Sequence, residues 1–289
     1  MRKRSLSKPV GALVGGIVML AMMQQAAAGP VLYAAGRDDV LRTLDTADGG
    51  VLSSVTMTLA GETITGATGL AWNRQTSTLW GLLKVDSSST RTLATIDTTT
   101  GVATGIGDTG SGAGLKFAGL DFADDGTLYG VTGDGSSSPE TLFTLSQIDG
   151  SATFDLTLGN GTFGETIAFN FDDGLMYHGS GDFDPDLVFE TIDLGDDTIT
   201  DIPPSSAEDF FGFNALTYAG GGLFYTSDVG NGLWSLTDGG TFAAVGSDGF
   251  DITGLAFVTA AVPEPASLTL FGLGLLGLGA VRRRRHTRG

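Results

Sequence analysis

One short apolar strand recurs five times in this chain, and the recurrence limits the folds open to it. It reads Gly69-Leu70-Ala71-Trp72, Gly119-Leu120-Asp121-Phe122, Thr166-Ile167-Ala168-Phe169, Ala215-Leu216-Thr217-Tyr218 and Gly254-Leu255-Ala256-Phe257. After a polar turn comes a second strand, at Leu79-Trp80, Leu128-Tyr129, Leu175-Met176-Tyr177 and Leu223-Phe224-Tyr225, with Leu32-Tyr33 matching it at the start. A third strand ends on an acidic turn residue, at Leu44-Asp45, Ile96-Asp97, Ile148-Asp149, Ile192-Asp193 and Leu236-Thr237-Asp238, with spacings of 52, 52, 44 and 45 residues. A fourth strand follows each turn, as in Gly101-Val102-Ala103-Thr104. Four short strands per repeat, separated by Gly, Asp and Ser clusters, predict propeller blades rather than helices.

The phase of the repeat is informative. The repetitive region opens on a second-strand match and closes on a first-strand match, Ile252 to Val258. The first blade must therefore take its innermost strand from the far end, which closes the ring and removes exposed edges. We expect an all-β, five-bladed β-propeller with four-stranded blades. A sandwich or β-solenoid explains neither the permuted start nor the finish. The pattern Leu-x-x-Ile-Asp-x-x-Thr-Gly, clearest at Leu93 to Gly101, resembles secreted propellers of the quinoprotein-like and YVTN type. Trp72, Trp80 and Trp234 do not recur at one repeat position, so the resemblance implies architecture and no cofactor.

Both ends lie outside the repeats. Residues 1–28 have a basic start (Arg2, Lys3, Arg4, Lys8), an apolar stretch from Gly11 to Met23 and Ala26-Ala27-Ala28, the pattern of a cleavable signal peptide. The propeller domain is expected at 29–261, and residues 262–289 form a tail. In that tail Pro263-Glu264-Pro265 is followed by an apolar run from Ala266 to Val281 and by Arg282, Arg283, Arg284 and Arg285. As a transmembrane-type helix the run is about 24 Å long, short of a ~30 Å hydrocarbon core. Four arginines are expected to stay on the cytoplasmic side. This order of parts resembles the PEP-CTERM sorting tail of bacterial exoproteins. The resemblance implies export through the Sec translocon, membrane anchoring by the tail, processing by an exosortase, and a final place at the cell surface or outside the cell, in company with exopolysaccharide or biofilm.

Charge narrows the partners further. Between the two end segments only six basic residues (Arg37, Arg42, Arg74, Lys84, Arg91, Lys116) face 32 acidic ones, a balance of −26. Nucleic acid is excluded as a partner, because it requires a basic footprint. Ca²⁺, polycations and neutral sugars are permitted. With no cysteine the domain has no disulfides, Fe–S clusters or thiolate-zinc sites. His178 is the one histidine outside the tail, and in a strand it reads as a hydrogen-bonded structural residue.

Candidate chemistry rests on carboxylates. Each second-to-third-strand loop carries Asp: Asp38 and Asp39, Asp86, Asp134, Asp182 with Asp184 and Asp186, and Asp228. Such a ring could attract Ca²⁺, or Asp could serve simply as a turn residue. Asp182, Asp184 and Asp186 alternate as in the start of a calcium loop, without the Gly and distal Glu of an EF-hand. At the innermost-strand position only Asp121 is acidic among Ala71, Ala168, Thr217 and Ala256, and Glu165 lies just before the fourth inner strand. Asp121 and Glu165 are therefore the candidates for a glycoside hydrolase, which needs converging carboxylates. Three functions remain open on sequence: a non-enzymatic exported scaffold or binding propeller, a carbohydrate-active hydrolase, and a calcium-stabilised structural module.

Overall fold

The computed structural model describes residues 29–259 except 111–113, 134–135, 160–164, 182–186, 206, 231 and 248. The signal segment, the PEP motif, the apolar helix expected of the tail and the Arg cluster lie outside the described residues.

The described chain is all β. Blade 1 runs from axis to rim as β21 (Ile252–Val258), β1 (Val31–Gly36), β2 (Val40–Leu44) and β3 (Val51–Thr56). Blade 2 comprises β5 (Ile64–Asn73), β6 (Thr78–Val85), β7 (Thr92–Ile96) and β8 (Val102–Asp108). Blade 3 is β9 (Phe117–Phe122), β10 (Leu128–Thr132), β11 (Thr141–Leu145) and β12 (Ala152–Thr157), and blade 4 is β13 (Thr166–Asn170), β14 (Leu175–Ser180), β15 (Val188–Asp193) and β16 (Thr198–Asp201). Blade 5 holds β17 (Phe213–Gly220), β18 (Leu223–Asp228), β19 (Gly232–Thr237) and β20 (Phe242–Ser247). Closure occurs as the repeat phase requires: β21 pairs antiparallel with β1, from Val31 opposite Val258 to Gly36 opposite Ile252.

Two details differ from the sequence expectation. A two-residue strand, β4 (Thr58–Leu59), pairs parallel with β8, so blade 2 gains a fifth strand. It belongs to the connection between blades 1 and 2, and it covers part of an outer edge that would otherwise be open. The third-strand marker of blade 3 also moves. Ile148-Asp149 falls in the turn, with Ile148 90% exposed, and the strand ends at Leu145. Ser146 takes the role that Asp97 has in blade 2: Gly150 N–H donates to its carbonyl, as Gly101 N–H does to that of Asp97. The last buried residues of the third strands, Leu44, Ile96, Leu145, Ile192 and Leu236, are then 52, 49, 47 and 44 residues apart, a smoother series.

Alternation places the core between blades. Along β6, Leu79 and Leu83 pack with Leu41 and Met57 of blade 1. Trp80 and Leu82 point the other way, onto Phe117, Leu120 and Phe122 of blade 3. Period-two side chains thus serve both neighbours of one sheet, each buried large apolar side chain contributing about 1.5–3 kcal/mol. Blades 4 and 5 meet through aromatics, including Phe189, Phe210, Phe213, Phe224 and Phe242.

At the axis, glycine sets the approach of the inner strands. A Cβ on Gly119 would sit 2.9 Å from Ile167 N, and one on Gly254 would sit 3.1 Å from Gly69 N. The channel is consequently packed shut: the space among Gly69, Gly119, Ile167, Leu216 and Gly254 is about 10 Å³, no more than a single water needs. At the rim, outer strands press against the next blade's turn. A Cβ on Gly107 of blade 2 would lie 1.8 Å from the Asp149 carbonyl oxygen of blade 3, and one on Gly246 of blade 5 would lie 1.9 Å from that of Asp48 in blade 1. Gly107→Ala is therefore expected to force two blades apart at an overpacking cost of about 1–3 kcal/mol. Thermal unfolding should show a melting point several degrees lower, and an unchanged one would contradict this contact.

Candidate functional site

Asp121 and Glu165 occupy separate places. Asp121 sits next to the end of β9, half-buried, with each carboxylate oxygen accepting a main-chain N–H: Oδ1 from Phe122 at 2.8 Å and Oδ2 from Phe169 at 2.8 Å. The second bond crosses from blade 3 to blade 4. Thr217 does the equivalent between blades 5 and 1, its Oγ1 accepting from Phe257 N–H at 2.9 Å. The innermost position is thus a place for a tie to the next blade. Burial pushes the Asp121 carboxyl up to about 7, against the pull of the Phe169 and Phe122 amides and of Arg74.

Glu165 lies at the start of β13, in a buried triad. His178 Nε2 donates to Glu165 Oε2 at 2.8 Å, and Nδ1 donates to Glu190 Oε1 at 2.9 Å. Ser180 Oγ donates to Glu165 Oε1 at 3.1 Å. All three charged residues are at most 1% exposed. Glu190 stands directly opposite His178 in the β14–β15 ladder, which fixes the pair. Burial alone pulls the imidazolium down, but the hydrogen bonds and charges of Glu165 and Glu190 together outweigh it and hold His178 up at about 9. The group is thus an imidazolium clamped by two carboxylates. Among the described residues Glu190 Oε2 has no hydrogen-bond partner.

Glu165 and Phe169, where Asp121 is bound, are four residue steps apart along the chain, about 13 Å of backbone at ~3.3 Å per residue. Paired glycosidase carboxylates stand about 5–9.5 Å apart across a substrate. Here each carboxylate is instead held by its own partners, with the closed axis between the blades.

Asp38 and Asp228 of the loops also have individual tasks. Asp38 receives Arg42 at 2.6 Å and 3.0 Å, and that hydrogen bond holds its carboxyl below the usual range. Asp228 is buried and accepts from Gly232 N–H at 2.7 Å and Trp234 Nε1 at 3.1 Å. Asp134, Asp182, Asp184 and Asp186 lie outside the described residues. Among the described residues no group of three His, Cys, Asp or Glu side chains could hold a metal ion. On the opposite face, Asp172 accepts from Tyr218 OH at 2.6 Å and Gly221 N–H at 2.8 Å, tying blade 4 to blade 5. Arg74 of blade 2 pairs with Asp124 of blade 3 at 3.4 Å and lies 3.7 Å over the ring of Phe171 in blade 4.

An open groove of about 470 Å³ runs along the turn end of blade 2. The pairing of Trp80, Thr95 and Thr104 across three strands puts Thr78, Thr95 and Thr104 on one side of the sheet, and the rest of the lining is Ser77, Thr98, Thr99 and Asp97 with the apolar Trp72, Leu79, Ile96 and Val102. Asp97 Oδ1 accepts from Thr99 and Thr100 N–H, so its charge is partly spent on the turn. The wall is rich in hydroxyls and poor in charge.

Residues 261–285 match the PEP-CTERM protein-sorting motif. The chain carries an exported protein's sorting tail. Pro263, Glu264, Pro265 and Arg282 to Arg285 all fall within the match, and the motif marks a membrane-anchored precursor for exosortase processing. Over the propeller, a chain in the crystal structure of a nidogen–laminin complex is similar at 10% identity and TM-score 0.54, with 80% of this chain and 99% of that one covered. A Bacteroides caccae protein of unknown function is similar at 12% identity and TM-score 0.51, covering 80% and 99%. A Bacteroides thetaiotaomicron protein of unknown function gives 16% identity and TM-score 0.51, covering 74% of this chain and 57% of that one. At these identities the likeness is one of fold. No curated protein matches the chain.

The triad predicts a pH response. His178 has a folded pKa raised above its ordinary 6.5, so its stabilisation is complete below about 6.5 and is lost as pH rises through about 9. The span corresponds to roughly 3 kcal/mol. Denaturant unfolding of the wild type should weaken across that window, while His178→Gln should be less stable at pH 6 and flat across it. Equal slopes for both proteins would remove the imidazolium assignment.

Proposed function

We propose that the protein is an exported, non-enzymatic binding or scaffold propeller that engages polysaccharide at the cell surface or in an extracellular matrix. The observation that carries this reading is the blade 2 groove, lined by Ser77, Thr78, Thr95, Thr98, Thr99 and Thr104. Hydroxyls donate and accept, and so match a neutral polyhydroxylated chain without demanding a charge. The sorting tail supports an extracellular place of work, and the strongly acidic domain favours neutral over anionic polymers as the groove's occupant. Asp121 and Glu165 support a structural rather than a hydrolytic use of the inner carboxylates, since each is held by protein donors.

The test is co-sedimentation or calorimetry of the exported protein with a panel of neutral polysaccharides. Thr104 is exposed, so Thr104→Trp should fill the groove without unfolding the blade and abolish retention at an unchanged melting temperature. Retention by the variant, or no binding across the panel by the wild type, overturns the groove as the site. Asp121→Asn should leave glycan binding intact and produce no change in glycan chain length. For sorting, replacing Pro263, Glu264 and Pro265 together by Ala should leave full-length precursor in the membrane fraction of the host. Normal processing of that variant would show that the triplet is not read.

A further inference from the structure

Only six lysines and arginines lie between the end segments, yet three of them gather at one sector of the loop face. Lys84 stands opposite Gly66 in the β5–β6 ladder. Arg91 lies one step beyond the Leu83–Thr92 pair of β6 and β7, which sets it across from Lys84 on the same side of the sheet. Arg37, at the end of β1, has its Cα 3.2 Å from where a Cβ of Gly66 would stand. Like charges directly opposite in a sheet repel. Burial, then Arg91 and Arg37, depress the Lys84 ammonium below its ordinary value.

The compensation found for this cluster among the described residues is one carboxylate, Asp251, whose charge also favours the Lys84 ammonium. Arg37 pairs with Asp251 at 2.5 Å, and Asp251 also accepts from Asn214 Nδ2 at 2.7 Å. Arg91 bonds only to neutral oxygens, Thr68 Oγ1 at 2.9 Å and Thr90 O at 3.2 Å. Neither Lys84 nor Arg91 makes an ion pair among the described residues, although both are partly buried. Asp108, which stands opposite Thr92 in the β7–β8 ladder, is engaged by Ser88 and Thr90 hydroxyls and by Gly110 N–H. With 32 acidic residues in the domain, pairing would have been easy to supply.

We propose that Lys84, Arg91 and Arg37 form a binding site for a single carboxylate carried on an otherwise uncharged ligand, such as a uronic acid unit. A forked guanidinium and a mobile ammonium on one side of a sheet suit a carboxylate. Isolation of the ligand's charge follows from the surroundings. The cluster attracts within a Debye length of about 8 Å, while the −26 domain around it repels an array of negative charges. Nucleic acids, anionic membranes and densely charged polyuronates are thereby disfavoured. The site is separate from the threonine groove and stands independently of it.

The experiment uses the exported protein at low and at physiological salt, with glucuronate, glucose and polygalacturonate as probes in thermal-shift and calorimetric titrations. Glucuronate should raise the melting temperature saturably, with weaker binding at higher salt, while glucose gives no such shift. Lys84→Met should reduce glucuronate affinity by more than about tenfold, as loss of a charge-assisted hydrogen bond does. It should also raise the melting temperature of the ligand-free protein by relieving the like-charge pair. Arg37→Gln, at an exposed position, should weaken glucuronate binding while the fold is kept, and Thr104→Trp should leave the glucuronate shift intact. No shift with glucuronate, or an equal shift in Lys84→Met and wild type, overturns the site. Polygalacturonate binding as tightly per carboxylate as glucuronate overturns the requirement for an isolated charge. Neutral-polysaccharide binding that fails while glucuronate binds would remove the groove and leave this site standing.

Discussion

Pairing of β21 with β1 is the contact on which the rest of the propeller depends. It joins residues more than 200 positions apart in sequence, and it converts an arc of sheets into a closed ring. Without β21, blade 1 would expose the apolar face of Leu32 and Ala34 to solvent, and the inner strands of blades 2 and 5 would each lose a neighbour. Every other interface is a local packing problem between consecutive blades. This one alone requires the whole chain to be in register, and in a domain without cysteine no covalent bond supplements it.

Acidic residues contribute to that register, Asp121 from within the sheet and Asp172 and Asp124 from the surface. Asp121, Asp172 and Asp124 each tie a blade to its neighbour, and Asp228 braces the loop that leads into β19. Glu165 and Glu190 hold an imidazolium within blade 4. Part of the domain's acidity is thus spent on main-chain donors and on internal partners, where a carboxylate can satisfy two N–H groups at once. Cations, by contrast, are so few that the position of each one is informative. Arg42 and Arg74 have carboxylate partners, whereas Lys84 and Arg91 face each other.

The blade count, the permuted start and the closing strand were legible in the sequence because each depends on period-two burial and on repeat phase, both local properties. Blade 3 shows where such reading fails. Ile148-Asp149 imitates Ile96-Asp97 in composition, but the hydrogen bonds of the turn belong to Ser146 and Gly150, and only Leu145 is buried. The site residues follow the same divide. Asp121 stood out as the one acid at the innermost position, although its task, a bond to Phe169, needed the geometry of two blades. Glu190 gave a signal only in retrospect: a charged residue at a buried strand position, opposite His178 once the β14–β15 register is known. Lys84 and Arg91 were visible as scarce cations, but their juxtaposition depends on the β6–β7 ladder.

The closing strand is also the strand from which the sorting tail continues. Val258 forms the pair nearest the tail, opposite Val31, and the next pairs run inward through Phe257 and Ala256. Thr253, whose hydroxyl bonds to the Ala67 carbonyl of blade 2, and the packed glycines of the axis lie at the far end of the strand. Ring closure and sorting are therefore adjacent in the chain: the last residues that pair into the propeller directly precede the motif at 261–285.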